Sequence, residues 1–431
     1  MKTLFMFDAH IIRQDPWSCR GPVSELIQTL YKYGADSTLW DGINPNILLT
    51  KFNTNIPLKN TVRLPIAVER TLRMFSTEWD DNAISVWCDL MQGKGIVAEI
   101  YRDILQYLAS DYGIECFAYW GSNRTIRDFC HSVGLKSVAM ELGPTRLPFR
   151  ETRYCDFLGV NGDSHTRMID WTKFEPLEFS RWRQSGGVRY LDGARDDAGY
   201  RPLTSRHADK LCRTTRPLAL IAMQLDDDSN CLIHSEYGGM LEMIKSVVPK
   251  LVAAGWYVFV KPHPGAAPER NSGGARRRNV EGHENSRRFV ADNFSENEVV
   301  WLDDVPASEY VSLLSKIDAL ISVNSSMGFE AMLAGKVAVT LGRAPYNVGG
   351  GLPTLDQLVS GEFDMKRYED YSSRVCRLLV DYYLQPCTLL SSPTVLSRSI
   401  LRNSVLVEAL DNGGSAALTD AVKANPVGLV S

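Results

Sequence analysis

The sequence lacks the signals that would place the chain in several large functional classes. It has no CxxC pair among nine cysteines, no run of 18 apolar residues, and no basic excess, since 47 lysines and arginines stand against 51 aspartates and glutamates. Structural zinc, a transmembrane helix and binding of nucleic acid are therefore not expected. We predict a cytoplasmic protein with reduced, buried thiols and at most peripheral contact with the inner membrane.

Familiar catalytic motifs are missing as well. No GxGxxG, P-loop, HExxH or GxSxG occurs in the strand and helix context that each requires, which disfavours dehydrogenases, kinases, zinc proteases and serine hydrolases. The composition is otherwise ordinary, with 44% hydrophobic and 23% charged residues in 431, and it is sufficient for a well-buried core. A chain of this length is expected to form two domains.

Short apolar runs alternate with amphipathic helical patterns in both halves of the chain. TLFMF, AISVWCDL, IECFAYW and KSVAMEL are predicted strands of the first half, and LALIAMQ, WYVFVKPHP and ALISVNS are predicted strands of the second. Strands of this length separated by helices imply right-handed crossovers and parallel sheets. The sequence therefore predicts an α/β protein with two Rossmann-like domains.

The alternation stops where polar and arginine-rich sequence dominates, before the strand LALIAMQ. We place the domain boundary there. The predicted parts are an N-terminal Rossmann-like acceptor domain over 1–205, a C-terminal Rossmann-like nucleotide-sugar domain over 206–365, and C-terminal helices and tail over 366–431. Two such domains facing across a cleft, with C-terminal helices that return to the first domain, are the layout of GT-B glycosyltransferases.

One predicted strand ends at Asn324-Ser325-Ser326, and a helix begins immediately after it. Hydroxyls and unpaired N–H groups at a helix N-terminus favour a phosphate, so these three residues are predicted to bind a nucleotide-sugar donor. Gly328 would let backbone or ligand approach closely, and Glu330 could accept hydrogen bonds from ribose hydroxyls. The alternative is that Ser325 only caps the helix and that Glu330 is a solvated helix residue.

A second strand of the same domain ends in a turn with two prolines, Lys261-Pro262-His263-Pro264. Because open α/β sheets bind ligands at the carboxyl ends of their strands, Lys261 and His263 are predicted to contact a phosphate or a carboxylate. The alternative is a structural turn. The Gly- and Arg-rich segment over 265–288 that follows is predicted to be a mobile loop.

Three consecutive aspartates, Asp226, Asp227 and Asp228, follow Gln224 just after the first strand of the second domain. Adjacent carboxylates repel, so at least one should have a raised pKa unless it is paired or bound to metal. They could hold Mg²⁺ opposite a diphosphate, or one of them could act as nucleophile or base at an anomeric carbon. A solvated acidic turn is the third interpretation.

In the first half, Glu141 ends a predicted strand, and Arg146 and Arg153 follow a turn at Gly143-Pro144. A carboxylate in this position can serve as an acid or base in a cleft. The two arginines could bind a sugar carboxylate through paired hydrogen bonds. Alternatively, Glu141 pairs with one of these arginines and only stabilises the loop.

Together these motifs resemble the retaining β-Kdo transferases of bacterial capsule and O-antigen (lipopolysaccharide) polysaccharide assembly. The resemblance is carried by MELGPTRLPF, by the Q-x-x-x-D spacing in QLDDDS, by KPHP and by NSSMGFEAMLAGKVAVTLGRAPYN. It implies a GT-B fold, CMP-β-Kdo as co-substrate, no metal or other cofactor, and a glycan acceptor that is lipid-linked.

The resemblance also implies roles for individual residues. Asp228 matches the last position of Q-x-x-x-D and would be the nucleophile of a double displacement, with Asp227 as the alternative. Glu141 would be the acid/base, about 5 to 5.5 Å from the nucleophile in the closed form, and His263 completes the catalytic set. Donor binding falls to Gln224, Asp227, Lys261, Asn324, Ser325, Ser326, Gly328, Glu330, Arg146 and Arg153.

Two other functions stay open at this point. One is a GT-B transferase that uses a UDP- or GDP-sugar. The other is a non-catalytic protein that keeps the GT-B shell and binds a nucleotide or a glycan.

Overall fold

The computed structural model describes residues 1–6, 22–49, 60–75, 80–145, 151–177, 215–266, 274–302, 305 and 307–427. The chain divides into two compact units. Unit 1 comprises Met1–Leu142, Arg153–His165 and Tyr382–Ser431, and unit 2 comprises Gly143–Thr152 and Thr166–Asp381. The domain boundary that the sequence places at 205/206 lies outside the described residues. The one at 365/366 falls inside unit 2, at the start of a helix, and unit 2 continues to Asp381.

The described strands, in chain order, are β1 (Lys2–Met6), β2 (Asn44–Leu49), β3 (Thr61–Arg63), β4 (Cys116–Trp120), β5 (Lys136–Leu142), β6 (Thr152–Asp156), β7 (Leu218–Ala222), β8 (Tyr257–Lys261), β9 (Val299–Trp301), β10 (Ala319–Ser322), β11 (Val337–Thr340) and β12 (Gln385–Pro386). The described α-helices are α1 (Pro22–Tyr33), α2 (Ile66–Met74), α3 (Asp81–Met91), α4 (Gly95–Tyr112), α5 (Arg124–Ser132), α6 (Ser229–His234), α7 (Met240–Ala253), α8 (Gly274–Asn293), α9 (Ala307–Lys316), α10 (Ser326–Leu333), α11 (Leu355–Ser360), α12 (Met365–Tyr382) and α13 (Pro393–Ala424).

In unit 1, seven strands form one sheet in the order β12-β6-β5-β4-β1-β2-β3. Strands β1 to β5 are parallel to their sheet neighbours among one another, and β6 is antiparallel to β5. Leu4, Phe5 and Met6 of the central strand β1 are fully buried. Because a parallel strand is covered on both faces, it has a continuous apolar run, and this is why TLFMF can be identified from the sequence.

The C-terminal helix α13 belongs to unit 1. Its residues Leu396 and Ile400 are fully buried in the same apolar cluster as Phe5 of β1 and Val138 of β5. The predicted return of the C-terminal helices to the first domain is therefore confirmed for α13, whereas α12 belongs to unit 2 up to Asp381. The predicted α/β class with two Rossmann-like units is confirmed.

In unit 2, five strands form a parallel sheet in the order β11-β10-β7-β8-β9. Since all five run in the same direction, the segments that follow β7, β8, β10 and β11 begin at one edge of the sheet, where open α/β sheets bind ligands. The motifs that start at Gln224, Lys261 and Asn324 all leave the sheet at this edge.

The prediction of a mobile loop over 265–288 is wrong for its described part. Residues Gly274–Asn293 form α8, a helix of 20 residues. Its buried side chains, Asn279, His283, Ser286 and Val290, are spaced three or four residues apart, so they share one face of the helix. Three of these four are polar, which hid the helical period from a search for apolar residues. The prediction of a strand at AISVWCDL is also wrong, because this segment lies in helix α3.

No helix within the described ranges is both long enough and apolar enough to span a bilayer.

Candidate functional site

Two motifs that lie 100 residues apart are joined by a pair of hydrogen bonds at the carboxyl edge of the unit 2 sheet. The Asn324 backbone N–H donates to Gln224 Oε1 at 3.0 Å, and Gln224 Nε2 donates to Asn324 Oδ1 at 2.8 Å. The pairing is possible because β7 and β10 are adjacent parallel strands in register. Gln224, which is 7% exposed, therefore fixes the position of the segment before α10.

The three consecutive aspartates make three different sets of contacts. Asp226 Oδ1 accepts a hydrogen bond of 2.6 Å from the Met240 N–H at the start of α7. Asp227 forms a reciprocal pair with Asn279 of α8, in which it accepts from the side-chain amide at 2.9 Å and donates its own N–H at 3.1 Å. Asp226 and Asp227 are buried, so their contacts stabilise the loop from inside.

Asp228 is the one member of the trio that is only partly buried. It caps α6, because its Oδ1 accepts from the Asn230 N–H at 2.9 Å, and its Oδ2 lies 3.4 Å from Gln224 Nε2. The carboxylate is thus held in place beside the Gln224–Asn324 pair while solvent still reaches it. The role of nucleophile stays a prediction, and this placement is compatible with it.

Burial without full pairing changes the acidity of Asp226. Desolvation raises the pKa of this carboxyl to about 6, against the lowering effect of the Met240 N–H. Its Oδ2 has no hydrogen-bond partner among the described residues. The sequence-based expectation that one of the three carboxyls has a raised pKa therefore fits Asp226.

The three carboxylates do not converge on one point. In the part of the chain that the structure describes, no group of three or more His, Cys, Asp or Glu side chains could hold a metal ion. That no metal takes part in the reaction stays a prediction from the resemblance.

The KPHP turn fixes the tautomers of two histidines. His263 Nδ1 accepts from the Gly265 N–H at 2.9 Å, so the proton of the neutral ring is on Nε2. His283 of α8 accepts the His263 backbone N–H on Nε2 at 3.1 Å, and its Nδ1 lies 3.0 Å from the Asn279 carbonyl oxygen, to which it donates. His263 therefore presents an Nε2–H donor next to Lys261.

Both histidines are neutral at physiological pH. Burial lowers the pKa of His263 to about 4, and the charge of Lys261 adds to this effect. Burial likewise lowers the pKa of His283 to about 4. The pKa of Lys261 is also lowered by burial, with Glu330 acting in the opposite direction.

These histidines make the stability of the protein depend on pH. Between pH 6.5 and 4 the unfolded chain binds more protons than the folded one at His263 and His283. The contribution of these two residues to the free energy of unfolding is therefore complete above pH 6.5 and is lost as the pH falls towards 4. Asp226, with its pKa raised to about 6, acts in the opposite direction from pH 3.8 to 6. Among these three residues two oppose one, so we expect their summed contribution to the free energy of unfolding to fall on acidification.

Urea unfolding at pH 7 and pH 5 measures this effect. In His283→Gln the loss of stability between the two pH values should be smaller than in the wild type by about 1 to 2 kcal/mol. His131→Gln, which replaces an exposed histidine, should leave the wild-type difference unchanged. If the stability of His283→Gln depended on pH as strongly as that of the wild type, the lowered pKa of His283 would be incorrect.

The segment from Ser325 to Glu330 is placed as the helix start that the sequence predicts. Ser325 caps α10 through a hydrogen bond of 3.4 Å from the Met327 N–H, and Ser326 is the first residue of the helix. Both side chains are partly exposed. Their predicted role in binding a phosphate stays untested, and nothing in their placement prevents it.

Gly328 and Glu330 differ from what the sequence suggests. A Cβ at residue 328 would clash with the Tyr346 hydroxyl, which donates to the Ser325 carbonyl oxygen at 2.7 Å. The close approach at Gly328 is thus made by a tyrosine of the same unit. Glu330 is 1% exposed and accepts from the Tyr310 hydroxyl at 2.8 Å, so the alternative of a solvated helix residue is wrong, and ribose hydroxyls do not reach it in this conformation.

The predicted residues of unit 1 are only partly placed. Glu141 is half-buried at the end of β5, opposite Tyr154 of β6, and its Oε1 accepts from the Leu142 N–H at 2.8 Å. Arg146 lies outside the described residues. Arg153 is completely buried inside unit 1, where its Nη1 lies 3.5 Å from Cys155 Sγ. In this conformation Arg153 does not reach a ligand, which corrects the prediction that it binds a sugar carboxylate.

Reasoning from the sequence missed the contribution of α8. Asn279, Gly282 and His283 lie on one face of this helix and contact Asp227, Asp226 and His263, respectively. At Gly282 a Cβ would clash with the Asp226 carboxylate, so only glycine allows the helix to approach this closely. The spacing of three and four residues was visible in the sequence, but the partners were not.

Comparison with known proteins agrees with the motifs. Residues 178–370, slightly less than half of the chain, match the family described as capsule polysaccharide biosynthesis protein. This range includes Gln224, the three aspartates, the KPHP turn and Asn324. The resemblance to capsule-assembly proteins is therefore confirmed at this level. No curated protein matches the sequence.

Several solved structures are similar to this chain. The β-Kdo 2,4 transferase of Thermosulfurimonas dismutans KpsC is 17% identical, with 64% of this chain and 82% of that one covered and a TM-score of 0.38. The β-Kdo 2,7 transferase of the same KpsC is 19% identical, with 59% and 73% covered and a TM-score of 0.33. MnaA of S. aureus in complex with UDP is 11% identical, with 95% and 97% covered and a TM-score of 0.35. Values this low do not identify a donor or a reaction.

Proposed function

We propose that this chain is a retaining glycosyltransferase of capsule polysaccharide biosynthesis that moves Kdo from CMP-β-Kdo to a sugar acceptor. The family match and the QLDDDS, KPHP and NSS motifs support the proposal. The observation that carries it is the placement of Asp228, which is partly exposed, orientated by a cap contact, and adjacent to the Gln224–Asn324 pair.

Double displacement assigns Asp228 the first step. Its carboxylate attacks the anomeric carbon of Kdo, a glycosyl ester forms, and the bond from that carbon to the CMP phosphate oxygen breaks, so the electron pair leaves with CMP. An acceptor hydroxyl then attacks the same carbon, the ester bond breaks, and Asp228 is released as a carboxylate. The hydroxyl proton passes to a base, for which Glu141 is the candidate. Two inversions give net retention.

The other residues of unit 2 would stabilise the leaving group. CMP is a monophosphate, so it carries less charge than a diphosphate, and fixed donors can neutralise it without a metal. The candidates are the Nε2–H of His263, the ammonium of Lys261 and the N-terminus of α10 with Ser325 and Ser326. A neutral histidine is suited to this task because it donates a hydrogen bond over the whole physiological pH range.

The test is CMP release from CMP-Kdo with EDTA present, followed by mass spectrometry of the protein after brief incubation. We expect release of CMP and a Kdo adduct on the peptide that contains Asp228. A thermal-shift panel of CMP, UDP and GDP, and of UDP- and GDP-sugars, is measured in parallel. Protection by UDP- or GDP-sugars but not by CMP, or binding of CMP with no turnover on any glycan acceptor, would contradict the proposal.

A further inference from the structure

A cavity of about 240 Å³ within unit 2 is lined by residues that have no functional role in the site described above, although four of them belong to the motif over 324–347. Two of its lining residues, Gly342 and Arg343, follow β11, so the cavity opens at the same edge of the sheet as the KPHP and NSS segments. Its lining includes Arg167, Arg343, Asn347 and the glycines Gly342, Gly349 and Gly350.

The walls of the cavity are fixed by backbone hydrogen bonds. The Arg343 N–H donates to the His234 carbonyl oxygen at 2.9 Å, and the Gly342 N–H donates to the Val323 carbonyl oxygen at 3.0 Å. The Asn347 side chain donates to Thr340 Oγ1 at 3.2 Å and accepts from the Leu352 N–H at 3.1 Å. Because the Asn347 amide is engaged in this way, the arginines are the main side-chain donors of the lining.

Two consecutive glycines keep the cavity open. Gly349 and Gly350 have φ values of +59° and +70°, in the left-handed region that favours glycine. A Cβ at residue 350 would meet no atom within 4 Å, whereas one at residue 349 would lie 3.3 Å from the Trp171 side chain and the Ile169 carbonyl oxygen. The backbone at Gly350 therefore borders open space, whereas the backbone at Gly349 packs against Trp171 and Ile169.

The charges of the lining select the ligand. Arg167 and Arg343 are both exposed, and the described residues provide no ion pair and no side-chain hydrogen bond for the Arg343 guanidinium. The lining contains no carboxylate, which disfavours a cation, and no aromatic ring, which disfavours a stacked base. A guanidinium is a planar donor that matches a carboxylate or a phosphate with two parallel hydrogen bonds.

The cavity adjoins the candidate site through a direct contact. Asn324 Nδ2 donates to the Arg343 carbonyl oxygen at 3.2 Å, and the same Asn324 pairs with Gln224 beside Asp228. We propose that this cavity is an anion subsite in which Arg343 and Arg167 bind a carboxylate or phosphate group of a sugar substrate. The identity of that substrate as a Kdo compound rests on the proposed function, whereas the binding of an anion does not.

The test is titration calorimetry with three probes, free Kdo, CMP and inorganic phosphate, on the wild type and on Arg343→Gln and Arg167→Gln. Arg367→Gln is the matched control, since Arg367 is exposed on α12 of the same unit. Loss of a charged hydrogen bond should weaken binding by about 10-fold or more in the two cavity variants and leave the control unchanged. Equal melting temperatures of all four proteins show that folding is intact.

The probes separate the two sources of the anion. Weaker binding of free Kdo alone assigns the cavity to a sugar carboxylate, and weaker binding of CMP and phosphate assigns it to a phosphate. Unchanged affinities in both cavity variants, or a wild type that binds none of the three probes, overturn the proposal. CMP release from CMP-Kdo is measured separately. If the protein releases CMP but the cavity variants bind all probes normally, the anion subsite is wrong and the proposed function stands. If the protein releases no CMP but the cavity variants lose anion binding, the proposed function is wrong and the subsite stands.

Discussion

Asp228→Asn is expected to lower CMP release from CMP-Kdo by about 10³-fold or more, because an amide cannot form the glycosyl ester on which double displacement depends. The substitution is otherwise mild. Asparagine is as good an N-cap as aspartate, and its Oδ1 can still accept from the Asn230 N–H that Asp228 binds at 2.9 Å. The variant should therefore fold normally and should bind CMP with the affinity of the wild type.

Asp292→Asn is the control for this change, since Asp292 is exposed on α8 and should show wild-type turnover. Steady-state CMP release and the mass of the incubated protein are the two measurements. Turnover of Asp228→Asn within about 10-fold of the wild type, or an adduct on another residue, would remove Asp228 from the mechanism. Asp227 would then have to be reconsidered, although its reciprocal pair with Asn279 leaves it buried.

Gly282→Ala is expected to destabilise the protein by about 1 to 3 kcal/mol, because the added methyl group would clash with the Asp226 carboxylate. The expected change in stability has the opposite sign to that of a typical substitution of this kind. In the interior of a helix, replacing glycine by alanine normally stabilises by about 1 kcal/mol. Asp226 is held by the Met240 N–H and is buried, so it has little freedom to move, and the clash should outweigh the gain in helix propensity.

The matched control is Asn285→Ala, which changes an exposed residue of the same helix. Urea unfolding compares the two variants with the wild type. If Gly282→Ala were as stable as the wild type or more stable, the close packing of α8 against Asp226 would be incorrect. Because α8 also holds Asp227 and His263, we expect CMP release to fall in Gly282→Ala and to stay at the wild-type level in Asn285→Ala.

The fold was largely predictable because its strands are central and parallel. Both faces of the central strands are buried, as seen for Leu4, Phe5 and Met6 in unit 1 and for residues 218–222 in unit 2. Each of these strands therefore has an apolar run that can be recognised in the sequence alone. The three segments of the site were also predictable, since polar residues directly after a buried strand must lie at the sheet edge. Two predictions failed. Helix α8 was missed because its buried face is mostly polar and therefore has no apolar period, and AISVWCDL was predicted as a strand although it lies in helix α3.

Individual side chains were harder to predict, because their burial depends on distant partners. Arg153 was expected to bind a ligand, yet it is buried beside Cys155. Gly328 was expected to make room for a ligand, yet Tyr346 occupies that position. In both cases the residue type was compatible with function and with packing alike, and only the surrounding chain distinguishes the two.

The sequence by itself determined the α/β class, the two Rossmann-like units and the order of the motifs at the strand ends, because these depend on local periodicity and on short spacings. Only the tertiary structure decided which of the three aspartates stays accessible, which nitrogen of His263 carries the proton, and that α8 contacts Asp226, Asp227 and His263. These properties arise from contacts across about 20 to 100 residues of sequence, such as Gln224 with Asn324, Asp227 with Asn279 and His263 with His283. Pairings over such distances are set by how strands and helices pack, which no local pattern records.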